Sequence, residues 1–229
     1  MPKLKAVIIP VTPFEQNCTL LFEDEQHRGA VVDPGGDVPR ILDAVRKHDV
    51  TVETILLTHG HLDHAGGAAA LQRALAEGGV RPPIVGPDAR DRFLLDNIAA
   101  QARMFELDGL ENATPDRWLT EGAQITIGGI AFDVLHCPGH TPGHVVFAAP
   151  SLGLAVVGDV LFRGSVGRTD FPYGDHAALL DSIAHKLLPL GDAVRFLCGH
   201  GPGSTIGEER RSNPFLAGLL AAGGEAARG

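Results

Sequence analysis

Three imidazoles and one carboxylate follow an apolar run in the stretch Ile55-Leu56-Leu57-Thr58-His59-Gly60-His61-Leu62-Asp63-His64. Imidazole nitrogens and carboxylate oxygens are the ligands that zinc and other first-row metal ions prefer. The apolar run is typical of a buried strand, so the ligand-type side chains come directly after its end. Loops at strand ends are where a rigid fold usually holds reactive groups. The stretch therefore predicts a metal site at the end of a buried strand.

Three more residues of ligand type lie at the ends of predicted strands further along the chain. His140 stands in the Gly- and Pro-rich segment 137–144, Asp159 follows Gly158, and His200 follows Gly199. Alone, an aspartate after glycine is usually a turn residue, and a histidine there is usually a hydrogen-bonded structural group. Together with the first stretch they complete a ligand set large enough for two metal ions.

Composition predicts one globular domain over residues 1–229. Hydrophobic residues make up 44% of the chain and charged residues 21%, which gives enough apolar material for a core. The formal net charge of −9 argues against nucleic acid as a partner, because phosphate backbones require clustered Lys and Arg. The sequence contains no run of ~18 apolar residues, so no membrane span is predicted. The N-terminus lacks signal-peptide features, and three widely spaced cysteines suit reduced thiols, so a cytoplasmic protein is expected.

The apolar pattern predicts two halves, each running from strands to helices. The three closely spaced strands over 5–10, 19–22 and 29–32 suggest an antiparallel sheet, and Asp37 can cap the helix that follows. His64 precedes a predicted helix, whose positive dipole end would keep its imidazole neutral. The predicted helices cover residues 38–48, 65–76, 88–102, 177–188 and 206–211; the predicted strands cover 5–10, 19–22, 29–32, 53–58, 84–85, 124–127, 130–135, 144–148, 154–157 and 194–198.

The order of ligand-type residues resembles the metallo-β-lactamase fold superfamily over almost the whole chain. That order is His-x-His-x-Asp-His, then His, then Asp, then His. The resemblance implies an α/β fold, a four-layer αββα sandwich of two mixed sheets with the metals at one edge. It implies two divalent ions, with zinc favoured and iron or manganese as alternatives. The implied first site is His59, His61 and His140, and the implied second site is Asp63, His64 and His200, with Asp159 bridging them.

The aspartate at position 159 narrows the activity that the resemblance implies. True β-lactamases of the superfamily have a different residue there, so Asp159 points to the thioester, lactone and phosphodiester hydrolases. Residues 17–18, 158–162, 167–171, 199–202 and 209–214 resemble glyoxalase II-related proteins, most closely the compact bacterial type without a C-terminal helical domain. The implied reaction is hydrolysis of a glutathione thioester such as S-D-lactoylglutathione, an anionic thiol conjugate.

The resemblance also implies the roles of the catalytic residues Asp63 and Asp159. Two ions that share a water lower its pKa and generate hydroxide at neutral pH, and Asp159 would bridge those ions. Asp63 would ligate one ion and aim the hydroxide at the carbonyl carbon. A thiolate leaves with little need of protonation, so no separate acid is required.

Substrate contacts and supporting residues are less constrained by the sequence. Arg168 aligns approximately with a basic glutathione contact of the family, and Phe171 or Tyr173 could form an aromatic wall; the alternative is an ordinary surface loop. His144 is interpreted as an orienting or structural group rather than a ligand. Asp33 is either a hydrogen-bond partner behind a ligand or a turn former.

Two other enzymes and one binding protein compete with the thioesterase. A mononuclear iron persulfide dioxygenase of the same fold would hold one iron on His59, His140 and Asp159 and act on glutathione persulfide. A lactonase would use the same two metals with a different pocket. A purely structural zinc site is disfavoured, because such sites close with four protein ligands and need no bridging carboxylate.

Overall fold

The computed structural model describes residues 3–217, and its first β-sheet contains five strands. These strands are β1 (Leu4–Val11), β2 (Gln16–Glu23), β3 (Arg28–Val32), β4 (Thr51–Leu56) and β5 (Ile84–Val85). They lie side by side in chain order. The pairs β1–β2 and β2–β3 are antiparallel, whereas β3–β4 and β4–β5 are parallel. The antiparallel pairing predicted for the first three strands is therefore confirmed, and the parallel strands β4 and β5 make the sheet mixed.

The second sheet contains six strands in the order β13-β12-β9-β8-β7-β6, and a small hairpin is formed by β10 and β11. The strands are β6 (Gln124–Ile127), β7 (Ile130–His136), β8 (Val145–Ala149), β9 (Leu154–Gly158), β10 (Leu161–Phe162), β11 (Ser165–Val166), β12 (Arg195–Cys198) and β13 (Ser204–Thr205). Strands β12 and β9 are parallel, and the other pairs of this sheet are antiparallel.

Seven α-helices accompany the sheets within residues 3–217, and their apolar sides pack against the outer faces. The helices are α1 (Val38–Lys47), α2 (Leu62–Ala65), α3 (Ala68–Glu77), α4 (Arg92–Leu95), α5 (Ile98–Met104), α6 (His176–Ser182) and α7 (Ile206–Ser212). Ile41 of α1 and Leu71 of α3 belong to the core on the first sheet, and Leu179 of α6 belongs to the core on the second. No helix within residues 3–217 has the length and hydropathy needed to cross a lipid bilayer.

Strand β8 shows how the layers fit together, because all five of its residues are buried. Successive side chains of a strand point to opposite faces. Val145 and Phe147 accordingly pack between the two sheets, while Val146 and Ala148 pack in the core that contains α6. Leu56 of β4 reaches the same intersheet core from the other side. The predicted αββα sandwich of two mixed sheets is therefore confirmed.

The predicted helix over 65–76 is interrupted by two glycines. Helix α2 ends at Ala65, and α3 begins at Ala68 after Gly66 and Gly67. The Gly67 N–H donates to the Pro34 oxygen at 2.9 Å, so the break follows from close packing against the β3 loop. His64 lies in the last turn of α2. The long helix expected to begin directly after His64 starts only at Ala68, so its positive end does not adjoin this imidazole.

The predicted helix over 88–102 is also divided, into a 3-10 turn (Ala89–Asp91), α4 and α5. The side chain of Asn112 bridges the second break. Its amide oxygen accepts from the Ala99 N–H at 2.8 Å, and its amide nitrogen donates to the Asp96 oxygen at 2.5 Å. A partner from elsewhere in the chain thus satisfies backbone groups that a continuous helix would pair internally.

The predicted cap of α1 takes a different form. Asp37 precedes α1, but its carboxylate makes no capping hydrogen bond. Its Oδ2 instead accepts from the Thr12 N–H at 2.7 Å. Asp37 therefore joins the start of α1 to the turn between β1 and β2.

Parallel neighbours bring the ligand-type residues to one edge of the sandwich. His59 follows β4, and Asp159 and His200 follow β9 and β12, which run parallel. His140 lies in the loop between β7 and β8. Because the carboxyl ends of parallel strands meet at one edge, residues far apart in sequence become neighbours there.

Candidate metal centre

Three imidazole nitrogens converge where the loops of the two sheets meet. Nδ1 of His61 lies 3.1 Å from Nε2 of His59 and 2.9 Å from Nε2 of His140. His59 and His140 are buried, while His61 is partly exposed to a cleft. These three residues, called the three-histidine set, are those predicted for the first metal site.

The other nitrogen of each ring has its own partner behind the site. The partners are the Thr58 hydroxyl for His59 (3.0 Å), the Tyr173 hydroxyl for His61 (2.9 Å) and the backbone oxygen of Arg168 for His140 (2.8 Å). When those rear nitrogens carry the protons, the three front nitrogens present lone pairs to one another. Such an arrangement, with the rear N–H groups fixed, is the one in which histidines bind a metal ion.

A second group contains Asp63, His64 and His200, which are the residues predicted for the second site. Oδ2 of Asp63 lies 3.2 Å from Nε2 of His200 and 3.8 Å from Nε2 of His64. His64 is fully buried, whereas about a third of the His200 side chain is exposed. We call this group the mixed set.

Asp159 lies between the two sets. Its Oδ2 is 3.5 Å from Nε2 of His140 and 3.7 Å from Nε2 of His200, and its Oδ1 is 3.4 Å from Nε2 of His64. One carboxylate thus approaches ligand-type atoms of both sets. The geometry is that of a bridging ligand.

Two buried atoms of this centre fit a pair of metal ions. Nε2 of His64 and Oδ1 of Asp159 have no hydrogen-bond partner among the described residues, although buried polar atoms are nearly always paired. A Cβ atom added to Gly199 would lie 2.0 Å from that Oδ1 and 2.5 Å from Cε1 of His64. The glycine therefore leaves the space that these donor atoms face.

The electrostatics of the three-histidine set favour neutral rings. Burial, reinforced by neighbouring imidazoles, holds the pKa of His59 well below its usual value. The same causes, with His140 as the main neighbour, lower the pKa of His61 to about 3. Burial also lowers the pKa of His140, against the opposing effect of Asp159. Unprotonated imidazoles can ligate a metal without first losing a proton.

The mixed set has the opposite character. Burial acts to lower the pKa of His64, but the charges of Asp159 and Asp63 outweigh it and raise that pKa well above the usual value. Burial is likewise outweighed at His200, where the hydrogen bond to Asp63 and the charge of Asp159 raise the pKa. Burial would raise the pKa of Asp159, yet His64 and the other nearby histidines hold it far below the usual range. Asp159 is thus a carboxylate.

Asp33 and His144 support the ligands from behind. Oδ2 of Asp33 accepts from Nδ1 of His64 at 3.0 Å, so Asp33 is the partner of a ligand-type residue. The Asp159 N–H donates to Nε2 of His144 at 3.0 Å, and the His144 ring stacks on His59 with centroids 4.7 Å apart. His144 belongs to none of the metal-type groups, which agrees with its interpretation as an orienting group.

A cleft of about 450 Å³ opens beside the centre. The predicted substrate residues Arg168, Phe171 and Tyr173 line it, and the Phe171 and Tyr173 rings stack 5.3 Å apart. The Arg168 guanidinium lies over the Phe171 ring and binds both carboxylate oxygens of Asp170, at 2.9 and 3.0 Å. Five further residues that line the cleft were missed by the sequence analysis: Phe14, Leu62, Gln101, Phe105 and Phe162.

The segment 209–214 holds in place the β10–β11 hairpin, which forms one wall of this cleft. Glu209 is buried and accepts from the Gly164 N–H at 2.7 Å. The Asn213 side chain donates to the Ser165 oxygen at 3.0 Å. Both contacts hold the β10–β11 hairpin, which carries Phe162. In the segment 209–214, Glu209 and Asn213 therefore have a structural role.

Asp91 was missed entirely. It is fully buried and accepts hydrogen bonds from Gly60, Thr141 and Gly143. The sequence around Asp91 gives no signal of this role, because its pattern predicts only the first turns of a surface helix. The partners are brought to it only by the fold.

Comparison with known proteins identifies the class that this fold and centre define. Residues 11–200 match the Metallo-beta-lactamase superfamily, and the chain belongs to that superfamily. It is 46% identical to hydroxyacylglutathione hydrolase GloC of Haemophilus influenzae, over 91% of this chain and 96% of that protein.

Two solved structures share the architecture at 36% identity each. One is the BLEG-1 B3 metallo-beta-lactamase, with a TM-score of 0.82 over 94% of this chain and 100% of that one. The other is TTHA1623 in a di-iron-bound form, with a TM-score of 0.80 over 92% and 100%. The chain is therefore similar both to a protein named as a hydroxyacylglutathione hydrolase and to one named as a metallo-beta-lactamase.

Proposed function

We propose that this protein is a metal-dependent thioester hydrolase that acts on a glutathione thioester such as S-D-lactoylglutathione. The observation that carries the proposal is the position of Asp159 between the three-histidine set and the mixed set. The similarity to GloC over most of both chains supports the same reaction.

The proposed centre holds two divalent ions, with zinc favoured over iron or manganese. His59, His61 and His140 would hold one ion, Asp63, His64 and His200 the other, and Asp159 both. When bound, such a pair supplies hydroxide at neutral pH and polarises a carbonyl oxygen. The Asp63 carboxylate lies at the border of the cleft, where it can accept a hydrogen bond from the nucleophile and orient it.

The cleft suits a thiol conjugate in this proposal. Its aromatic walls, with Phe14, Phe105 and Phe162 among them, would keep water from the acyl group. Arg168 would attract a carboxylate of glutathione, and the leaving thiolate would need no acid. We further propose a single domain over residues 1–229 and a cytoplasmic location, with no nucleic-acid or membrane partner.

A mononuclear iron persulfide dioxygenase is the alternative that the ligands leave open. It would use only His59, His140 and Asp159, so the mixed set would have no role as ligands. Nε2 of His64 is buried and lies 3.4 Å from Oδ1 of Asp159 and 3.8 Å from Oδ2 of Asp63. This cluster of ligand-type atoms outside the three residues of the dioxygenase site favours the dinuclear hydrolase.

The test combines metal analysis with a panel of substrates. Protein purified without added metal would be analysed for ions per chain and assayed with S-D-lactoylglutathione, a homoserine lactone, a cephalosporin and glutathione persulfide with oxygen uptake. Two ions and thioester cleavage are expected. His200→Ala should lose one ion and the activity, whereas His185→Ala, which removes a largely exposed imidazole, should lose neither.

Other outcomes would replace the proposal. One iron per chain with oxygen uptake would show that the protein is a persulfide dioxygenase. Two ions with lactone or cephalosporin cleavage and no thioester cleavage would keep the centre and change the substrate. Metal without any turnover would leave a binding protein.

A further inference from the structure

The Asp91 carboxylate occupies a buried position with three hydrogen-bond donors around it. Its Oδ2 accepts from the Gly60 N–H at 2.9 Å and from the Thr141 hydroxyl at 2.7 Å, and its Oδ1 accepts from the Gly143 N–H at 2.6 Å. Asp91 is fully buried, and these three donors are uncharged. Burial raises its pKa to about 6, despite those hydrogen bonds.

These donors belong to the two loops that carry the three-histidine set. Gly60 lies between His59 and His61, and Thr141 follows His140. One loop leaves the first sheet after β4, and the other belongs to the second sheet between β7 and β8. A single carboxylate therefore joins the two loops. None of its hydrogen bonds reaches Asp63, His64 or His200.

The contact is held by close backbone packing as well. A Cβ atom added to Gly60 would lie 2.8 Å from Cβ of Leu94 and 3.0 Å from the backbone oxygen of Asp91. A Cβ atom added to Gly143 would lie 2.6 Å from the backbone nitrogen of Asp91. The Asp88 N–H also donates to the Gly143 oxygen at 3.0 Å. Both loops thus touch the Asp91 turn with no side chain between them.

We propose that Asp91 is a positioning residue that sets the distance between the His59–His61 loop and the His140 loop, and so determines the metal affinity of the three-histidine set alone. The inference rests on the proposed metal centre. Residues that fix the orientation of metal ligands typically change metal affinity by about 10–100-fold when altered.

A carboxylate is required because the three donors face two different oxygens. Asparagine has nearly the same shape but only one acceptor oxygen. In Asp91→Asn, the amide nitrogen would face an N–H donor of one loop whichever way the amide turned. Either the Gly60 N–H or the Gly143 N–H would therefore lose its acceptor, while the volume of the side chain stayed the same.

The test measures the two metal affinities separately. Zinc-loaded protein would be titrated with a competing chelator, and His61→Ala and His200→Ala would identify which ion belongs to which set. Asp91→Asn is expected to weaken the ion of the three-histidine set about 10–100-fold and to leave the other unchanged. Thr141→Val, which removes one donor of the three, should weaken the same ion to a smaller extent.

Asp88→Asn is the matched control. Asp88 begins the same turn, and its Oδ1 accepts from the Arg90 N–H at 3.0 Å, but its side chain reaches neither ligand loop. It should leave both ions in place. Circular dichroism and thermal unfolding would show whether each variant folds. If Asp91→Asn does not fold, the metal affinities of Thr141→Val decide the question.

Equal weakening of both ions in Asp91→Asn, no weakening, or the same effect in Asp88→Asn would overturn the inference. Failure of the proposed function has a different signature. If wild-type protein binds one ion, the dinuclear hydrolase fails. The inference then stands if that ion is lost in His61→Ala and weakened in Asp91→Asn, and falls if that ion is lost only in His200→Ala.

Discussion

Asp33 lies behind His64, and its Oδ2 accepts a hydrogen bond from Nδ1 of that histidine at 3.0 Å. The same oxygen accepts from the Thr58 hydroxyl at 2.6 Å, and Thr58 is in turn 3.0 Å from Nδ1 of His59. The Thr58 N–H donates to the other oxygen of Asp33 at 2.7 Å. One carboxylate therefore orients a histidine of each set, in contrast to Asp91.

Asp33→Asn should weaken both metal ions, by about tenfold or more each. Whichever way the amide turns, its nitrogen faces a donor: the Thr58 N–H at one position, or the His64 Nδ1–H and the Thr58 hydroxyl at the other. The contacts that fix Thr58 behind His59, or His64 itself, are therefore weakened. The backbone at position 33 has φ 52°, which asparagine tolerates as aspartate does. The measurement is a chelator titration of the zinc-loaded variant.

Asp37→Asn is the control for this prediction, because Asp37 lies in the same loop and accepts from the Thr12 N–H without touching a ligand. It should retain both affinities. Weakening of only one ion in Asp33→Asn would show that the Thr58 relay to His59 has no energetic role.

Metal retention should depend on pH more steeply at the mixed set than at the three-histidine set. The carboxylates of Asp159 and Asp63 overcome the effect of burial and raise the pKa of His64 in the metal-free protein. The pKa of His200 is raised as well. A raised pKa keeps the ring protonated to higher pH, and a protonated imidazole cannot ligate. Binding there must displace protons, so affinity falls as pH falls. His61, with a pKa of about 3, has no proton to lose near neutrality.

The check is the number of ions that remain after dialysis at a series of pH values from about 8 to about 6, the range in which imidazoles titrate. The ion missing from His200→Ala should be the first to leave as pH falls. Simultaneous loss of both ions, or earlier loss of the ion that His61→Ala lacks, would contradict the assignment of the two electrostatic environments.

Tyr173→Phe should weaken the ion of the three-histidine set about tenfold. The Tyr173 hydroxyl is the partner of Nε2 of His61 at 2.9 Å, and its loss leaves that N–H without an acceptor. Burial raises the pKa of Tyr173 to about 12, so the phenol stays protonated and the effect does not involve a phenolate. Phe171→Leu is the control, since it removes the stacked ring and keeps the hydrogen bond. A normal chelator titration for Tyr173→Phe would show that Tyr173 only forms a wall of the cleft.

The sequence predicted the seven residues that converge at the centre because the information is local to each. Four lie within the run from His59 to His64, and the other three come directly after apolar runs or in a Gly-rich turn. The strands were recognisable for the same reason, since both faces of strands such as β8 are buried. The layered fold followed from the resemblance carried by those positions.

The features that sequence analysis missed depend on partners distant along the chain. The donors to Asp91 are 31, 50 and 52 positions away, so no local pattern marks that residue. The break between α4 and α5 is satisfied by Asn112, at least 13 positions from the residues it bonds. The interruption at Gly66 and Gly67 likewise follows from packing against the β3 loop. Such contacts exist only after the sheets have assembled.

Arg168 should govern substrate affinity rather than turnover. Its guanidinium is mostly exposed at the cleft and is held by Asp170. If it binds a carboxylate of the glutathione group, Arg168→Ala should raise KM for S-D-lactoylglutathione about tenfold, since a hydrogen bond to a charged group contributes about 1.5–3 kcal/mol. The kcat should change little, because the contact is the same in the ground and transition states.

Asp170→Asn is the informative partner for this variant, because it removes the anion that competes with substrate for Arg168. The pairing of Arg168 with Asp170 is exposed on both sides, so its loss should cost little stability. Asp170→Asn should therefore lower KM for S-D-lactoylglutathione and leave KM unchanged for a thioester of a neutral thiol such as N-acetylcysteamine. In the double variant with Arg168→Ala the gain should vanish. An equal change for both thioesters would mean that Asp170 shapes the loop and that Arg168 does not contact the glutathione carboxylate.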